Sequence, residues 1–227
     1  MQSPARPHKR LAKLTQEEFR PQPPMYVEGV IEEWVERFPR DSRFLRSICQ
    51  DLDRARVKRI CSNRSNSSAR QKFLAVMLWG YGSHAIGATR AQKVTQEIDF
   101  DVKLRKVIEL SQRGRHVDAI SFMTLNPIKG FGPAYGTKLV YFCSPRNVCA
   151  PIYDKRVRDW LAKYARRELP GARLEKVQWH TNSYVAWSNW LQSQESLSGY
   201  KWEDLEYLIF QDAKKMRSKK NRASTKK

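Results

Sequence analysis

The chain is short of cysteine, of acid and of long apolar runs, and each shortage narrows what it can be. Its four cysteines, Cys49, Cys61, Cys143 and Cys149, stand at spacings that match no common zinc pattern. Reduced structural thiols are the expectation, with no metal and no cofactor. No uninterrupted apolar run approaches the roughly 20 residues that a membrane-crossing helix needs. The opening MQSPARPHKR has no apolar segment of the signal-peptide kind. A soluble, cytoplasmic, nucleoid-associated protein with no membrane partner is therefore expected, and a monomer. Strand signals are few and no internal repeat is evident, which points to an all-α fold. Acid is the largest deficit: 23 Asp and Glu stand against 43 Lys and Arg, for a formal charge of +20. So large an excess fits a polyanionic partner, nucleic acid first and anionic membrane second. A length of 227 residues allows one domain or two small ones and is ample for a core.

The most informative stretch runs from Asn126 to Trp160. Before it, Val117, Ile120, Phe122, Met123 and Leu125 fall at roughly helical spacing. Asn126-Pro127 ends that helix, because the residue before a proline is pushed out of the helical basin. Gly130 and Gly132 bracket Phe131, a pattern suited to a tight turn with positive φ and close approach of the backbone to another molecule. Pro133 then suits the first turn of a second helix, where its missing N–H would have no partner. The free amides of such a first turn can bind a phosphate oxygen. Lys138 lies one turn past Ala134 on the same face. Asp154 precedes a helical pattern from Lys155 to Tyr164 and is a preferred N-cap residue.

Helix, Gly-x-Gly turn and second helix together resemble the helix-hairpin-helix of the DNA repair glycosylase superfamily. The resemblance implies an all-α domain with its active site in a cleft beside the hairpin, and a hairpin that grips the DNA backbone without regard to sequence. In many lyase-competent members the catalytic lysine sits two residues after the second hairpin glycine, where this chain has Ala134. The run Lys138-Leu139-Val140-Tyr141-Phe142 is instead similar to the archaeal 8-oxoguanine glycosylase branch. That likeness implies Lys138 as nucleophile and Phe142 as the aromatic that stacks on the extruded base. Pro151-Ile152-Tyr153-Asp154 resembles the family segment in which an aspartate opens the next helix and faces the scissile sugar. Lys129, Gly130, Phe131, Gly132, Pro133, Lys155 and Arg156 are the implied DNA contacts. The segment from Leu78 to Gly87 resembles a Trp-Gly-containing stretch of bacterial proteins assigned to the 8-oxoguanine glycosylase fold, which implies Trp79 as a pocket wall. Each residue also has a plain structural role open to it: Lys138 as a phosphate contact, Asp154 as a cap alone, Phe142 and Trp79 as core. The C-terminal four-cysteine iron–sulfur loop of endonuclease III-like relatives is missing.

Elsewhere the chain reads as an arm, a helical domain and a tail. Residues 1–24, with Pro21, Pro23 and Pro24, show no sustained periodicity and are expected to be a flexible or loosely docked arm. The helical domain spans 25–212, with the hairpin region at 117–144. Tyr26, Val27, Val30, Ile31, Trp34, Val35 and Phe38 mark its first helix. Asp41 is placed as the cap of a helix over 42–61. Ser68 and Gln71 lead into a buried helix from Phe73 to Trp79, another covers 102–112, and aromatic-rich helices lie around Trp187 and Trp202. Residues 213–227 are expected to be a disordered basic tail that raises nonspecific DNA affinity.

The function implied is a DNA glycosylase with an abasic-site lyase step, acting on double-stranded DNA that contains a modified base, 8-oxoguanine first. Lys138 would be the Schiff-base nucleophile and Asp154 its electrostatic and base partner. One alternative is excision of a hypermodified base from phage DNA, possible with Asp154 activating water. Another is a DNA-binding helix-hairpin-helix module without catalysis.

Overall fold

The computed structural model describes residues 6–16, 27–50, 52–62, 64–176 and 178–224. Among these residues there are twelve α-helices and no strand. They are α1 (Lys9–Gln16), α2 (Ile31–Arg37), α3 (Ser42–Ile48), α4 (Arg54–Cys61), α5 (Ala69–Tyr81) and α6 (Ile86–Thr95). Then follow α7 (Phe100–Gln112), α8 (His116–Leu125), α9 (Pro133–Cys143), α10 (Lys155–Tyr164), α11 (Thr181–Ser198) and α12 (Trp202–Ser224).

The central element is α5. Its start is a capping box: Ser68 accepts from the Gln71 amide at 3.2 Å, and the Gln71 side chain accepts from the Ser68 amide at 3.0 Å. From Lys72 to Trp79 every residue is buried, as expected of a helix that is apolar all round. Gly82, at φ 56°, ends it. Around α5 pack α4, α6, α7 and α9, while α10 and α11 lie against α12.

Three expectations are corrected by the tertiary structure. The helix expected over 42–61 is broken into α3 and α4, and Asp53 rather than Asp41 supplies a cap, accepting from the Arg56 amide at 2.6 Å. Asp41 makes no cap bond. It pairs with Arg70 at 2.9 Å instead. The described part of the expected arm is a helix, α1, whose Leu11 and Leu14 are buried. Arg10 forms a two-pronged pair with Asp212 of α12, which also accepts from the Trp160 indole at 2.8 Å. Residues 1–5 and 17–24, with Met25 and Tyr26, lie outside the described residues. Over the expected tail, α12 continues to Ser224, with Ala213 buried. Residues 86–95, which the periodicity reading leaves unassigned, form α6.

The hairpin between α8 and α9 is held by its apolar residues. Gly130 has φ +79°, and the Phe131 amide donates to the Ile128 carbonyl at 3.0 Å. Gly132 does not share the positive φ. It sits at φ −79° as the N-cap of α9, with Pro133 following. Ile128 and Phe131 are buried, the latter against Phe73 with ring centroids 5.5 Å apart.

Candidate active site

A cleft of about 730 Å³ opens between the end of α5, the start of α6, α9, the start of α10 and α12. Six Lys and Arg side chains line it against two carboxylates, so its field favours a polyanion. Lys138 and Asp154 meet there, Nζ to Oδ2 at 3.8 Å, with side chains 11% and 14% exposed. Both are thus nearly withdrawn from water yet reachable from the cleft.

Each member of the pair is fixed by its neighbours. Asp154 caps α10 through Oδ1, which accepts from the Arg156 amide at 2.8 Å and the Val157 amide at 3.0 Å. Capping therefore occupies one carboxylate oxygen, and the other is turned toward Lys138. The preceding loop is tied on both sides. Thr137 Oγ1 accepts from the Tyr153 amide at 2.9 Å and donates to the Pro133 carbonyl at 2.7 Å. On the other side, the Trp187 indole donates to the Ile152 carbonyl at 3.2 Å. Lys138 itself donates to the Ala134 carbonyl at 3.0 Å. Its stem runs beside Gly80, where an added Cβ would meet Lys138 Cδ at 3.4 Å and Tyr135 Cε1 at 2.7 Å. A side chain at Gly80 would displace the Tyr135 ring and crowd the Lys138 stem.

Burial pushes the Lys138 ammonium below the ordinary lysine range; Asp154 and Glu206 pull it back up, and Arg54 and Arg156 lower it further. The amine is thus biased toward its neutral, nucleophilic form. Glu206, at 1% side-chain exposure, is held by Arg54 through two bonds of 3.1 and 3.3 Å. Burial raises the Glu206 carboxyl, and Arg54 opposes that rise. The guanidinium of Arg54 also lies 5.7 Å from the Trp79 ring, 5.2 Å from Tyr141 and 5.5 Å from Tyr207.

The remaining sequence candidates separate. Trp79 lines the cleft and is braced edge-on by Phe142, with centroids 4.9 Å apart. Phe142 itself is fully buried behind Trp79 and does not reach the cleft, so its expected place against an extruded base is corrected. One turn beyond Lys138 the same face of α9 has passed out of the cleft, and there Phe142 meets the Trp79 ring of α5. Phe131 and Pro133 are likewise buried, and they anchor the hairpin rather than offer a DNA contact. Lys129 and Gly130 are exposed and Gly132 is half-buried. Lys155 and Arg156 line the cleft, the Arg156 guanidinium 4.8 Å from the Phe210 ring.

Sequence reasoning missed several walls of the cleft. Tyr81 and Tyr135 stack at 4.6 Å with an interplanar angle of 20°. Glu206 and Phe210, one turn apart on α12, also line it. A carboxylate set among Leu205, Leu208 and Ile209 was the available signal for Glu206, since an acid on an apolar face needs a buried partner. Nothing local marks Arg54 as that partner.

Residues 16–210 match the model of the family described as "Putative 8-oxoguanine DNA glycosylase OGG-like protein". The chain belongs to this family. A DNA glycosylase acting on DNA is the activity that membership implies. No curated protein and no solved structure gives a significant match. No helix among the described residues is long and apolar enough to cross a membrane, and all four cysteines are free thiols.

Two substitutions test this architecture. Thr137→Val keeps the shape but strands the Tyr153 amide, and should cost about 1–3 kcal/mol of stability. Because the lost bond holds the Asp154 loop against the helix carrying Lys138, single-turnover base release should slow by more than that loss of folded protein explains. Arg54→Met leaves the Glu206 carboxylate buried without its partner. The expected cost is about 3–5 kcal/mol, read as a lower urea midpoint at unchanged m-value.

Proposed function

We propose that this OGG-like glycosylase excises a modified base with Lys138 as covalent nucleophile and Asp154 as its charge partner. The observation that carries the reading is the buried 3.8 Å lysine–carboxylate pair at the wall of a basic cleft. The target nucleotide must first leave the stack, because the glycosidic bond is out of reach inside a duplex. Exposed Lys129 and the Gly130 turn would hold the phosphate backbone while aromatic walls receive the base.

In the chemical step the neutral Lys138 amine attacks C1′ and the C1′–N bond breaks. The bonding pair departs with the base, which takes up a proton. Positive charge that develops on the sugar is stabilised by the fixed Asp154 carboxylate. Asp154 is also the nearest carboxylate to accept the proton shed by Nζ. Opening of the sugar ring then gives an imine at C1′. Loss of a C2′ proton expels the 3′-phosphate, which is the lyase step.

The first substrate proposed is 8-oxoguanine. A second reading, excision of a hypermodified base from phage DNA, is favoured by the cleft volume of about 730 Å³. That volume lies in the range of pockets that enclose drug-sized ligands, more than an unadorned base occupies. A single-turnover screen over duplexes bearing 8-oxoguanine, alkylated, deaminated and hypermodified bases, with and without borohydride, tests both. Release of a base with no trapped adduct would leave a glycosylase in which Asp154 activates water. Binding without release of any base would reduce the protein to a helix-hairpin-helix DNA-binding module.

A further inference from the structure

Tyr135 stands in the first turn of α9, three residues before Lys138, so the two side chains are neighbours on the helix surface. Lys138 Nζ lies over the Tyr135 ring, 5.2 Å from its centroid, within reach of a cation–π contact. The amine therefore has three close neighbours: the Ala134 carbonyl at 3.0 Å, the Asp154 carboxylate at 3.8 Å and this ring. A lysine stem is flexible, and an amine that must meet one carbon atom needs that freedom restrained.

The ring can restrain it because the ring is itself held. It stacks on Tyr81 with centroids 4.6 Å apart, and its Cε1 edge fills the space that a side chain at Gly80 would need. Tyr81 in turn is pressed on Gly87, where an added Cβ would meet Tyr81 Cβ at 2.7 Å, and the Arg90 guanidinium lies 6.0 Å from its ring. Burial raises the Tyr135 phenol, which therefore stays uncharged and offers Lys138 an electron-rich face rather than a negative oxygen. The charged groups that act on Lys138 are Asp154 and Arg156 from α10 and its cap, Glu206 from α12 and Arg54 from α4. From α5 come the bare backbone of Gly80 and the Tyr81 phenol that backs the Tyr135 ring.

We propose that Tyr135 is a positioning residue whose ring seats the Lys138 amine beside Asp154, ready for attack from the cleft wall. This rests on the reading of Lys138 as nucleophile, and Tyr135 acts on the reaction only through that amine. The sign of its effect follows from the contact. An aromatic face favours the ammonium, so its removal lowers the Lys138 pKa and carries the acid limb of the rate to lower pH. The amine then lost from its seat reacts more slowly even when neutral.

Tyr135→Leu removes the aromatic face and keeps apolar bulk, while Tyr135→Phe keeps the face and drops the hydroxyl. Tyr135→Met, which fills irregular gaps more readily, replaces the leucine variant if that one does not fold. The Lys138 titration is read in the free protein from the Cε chemical shift of isotopically labelled lysine, with Lys138→Gln identifying the signal. Tyr135→Leu should lower its midpoint by about half to one pH unit, and Tyr135→Phe should leave it near the starting value. Imine formation is followed by cyanoborohydride trapping on a duplex with one abasic site. Saturating protein is used, so that loss of folded protein changes the yield and not the rate constant. The plateau rate should fall about tenfold or more in Tyr135→Leu, its acid limb should move as the titration midpoint does, and Tyr135→Phe should restore both. An unmoved midpoint or an unchanged plateau in Tyr135→Leu overturns the proposal, as does a Tyr135→Phe protein equally slow. A midpoint that moves as expected, with trapping that persists in Lys138→Gln, would uphold the seat and defeat Lys138 as nucleophile.

Discussion

Lys138→Gln will reduce borohydride trapping on damaged DNA to background while DNA binding survives. The amide is similar in reach but cannot form an imine, and the fold loses one hydrogen bond, to the Ala134 carbonyl, and one ion pair, with Asp154. Trapping and gel-shift assays on the same preparation separate the two effects. Trapped adduct from the variant would remove Lys138 from the nucleophile's role. The pH dependence supplies a second check with a definite sign. The neutral amine reacts, so the rate falls as pH drops through the pKa of Lys138, which burial places below the ordinary lysine value. Arg156 lowers that pKa further, so Arg156→Gln should raise it and move the acid limb of the single-turnover rate to higher pH. A limb that stays in place in Arg156→Gln would mean that the titrating group is another.

Asp154→Asn is expected to slow base release by about 10²–10³, the usual loss when one fixed electrostatic partner of a developing charge is removed. Stability should fall little. The carbonyl oxygen of asparagine can still accept from the Arg156 and Val157 amides, and Asn ranks with Asp as an N-cap. Chemical denaturation and single-turnover kinetics on the one variant decide between cap and catalyst. Parallel losses of stability and rate would reduce Asp154 to a structural cap.

The local grammar of the chain was legible wherever its determinants lie within one helical turn. Ser68 and Gln71 start α5, Pro133 starts α9, Asp154 starts α10, and Asn126 closes α8, each close to the expected position. The break between α3 and α4 was not legible. The apolar stripe from Phe44 to Val57 runs through it without a glycine or proline to mark a stop. The docking of α1 was also hidden, because eight residues are too few to form a stable helix alone and this one is held by a partner near the other end of the chain, Asp212 of α12.

Sequence alone established the charge, the helical class and the Gly130 turn, and singled out Lys138 and Asp154, all from composition or short-range spacing. Tertiary packing decided which aromatic rings face the cleft. It buried Phe131 and Phe142 and left Trp79, Tyr81, Tyr135 and Phe210 at the walls. It also joined Arg54 to Glu206 across 152 positions of sequence and brought Ile86 to the cleft wall. The physical reason is that burial and charge pairing depend on which helices meet, and that choice is made by the whole core at once, whereas a cap or a turn needs only its nearest neighbours.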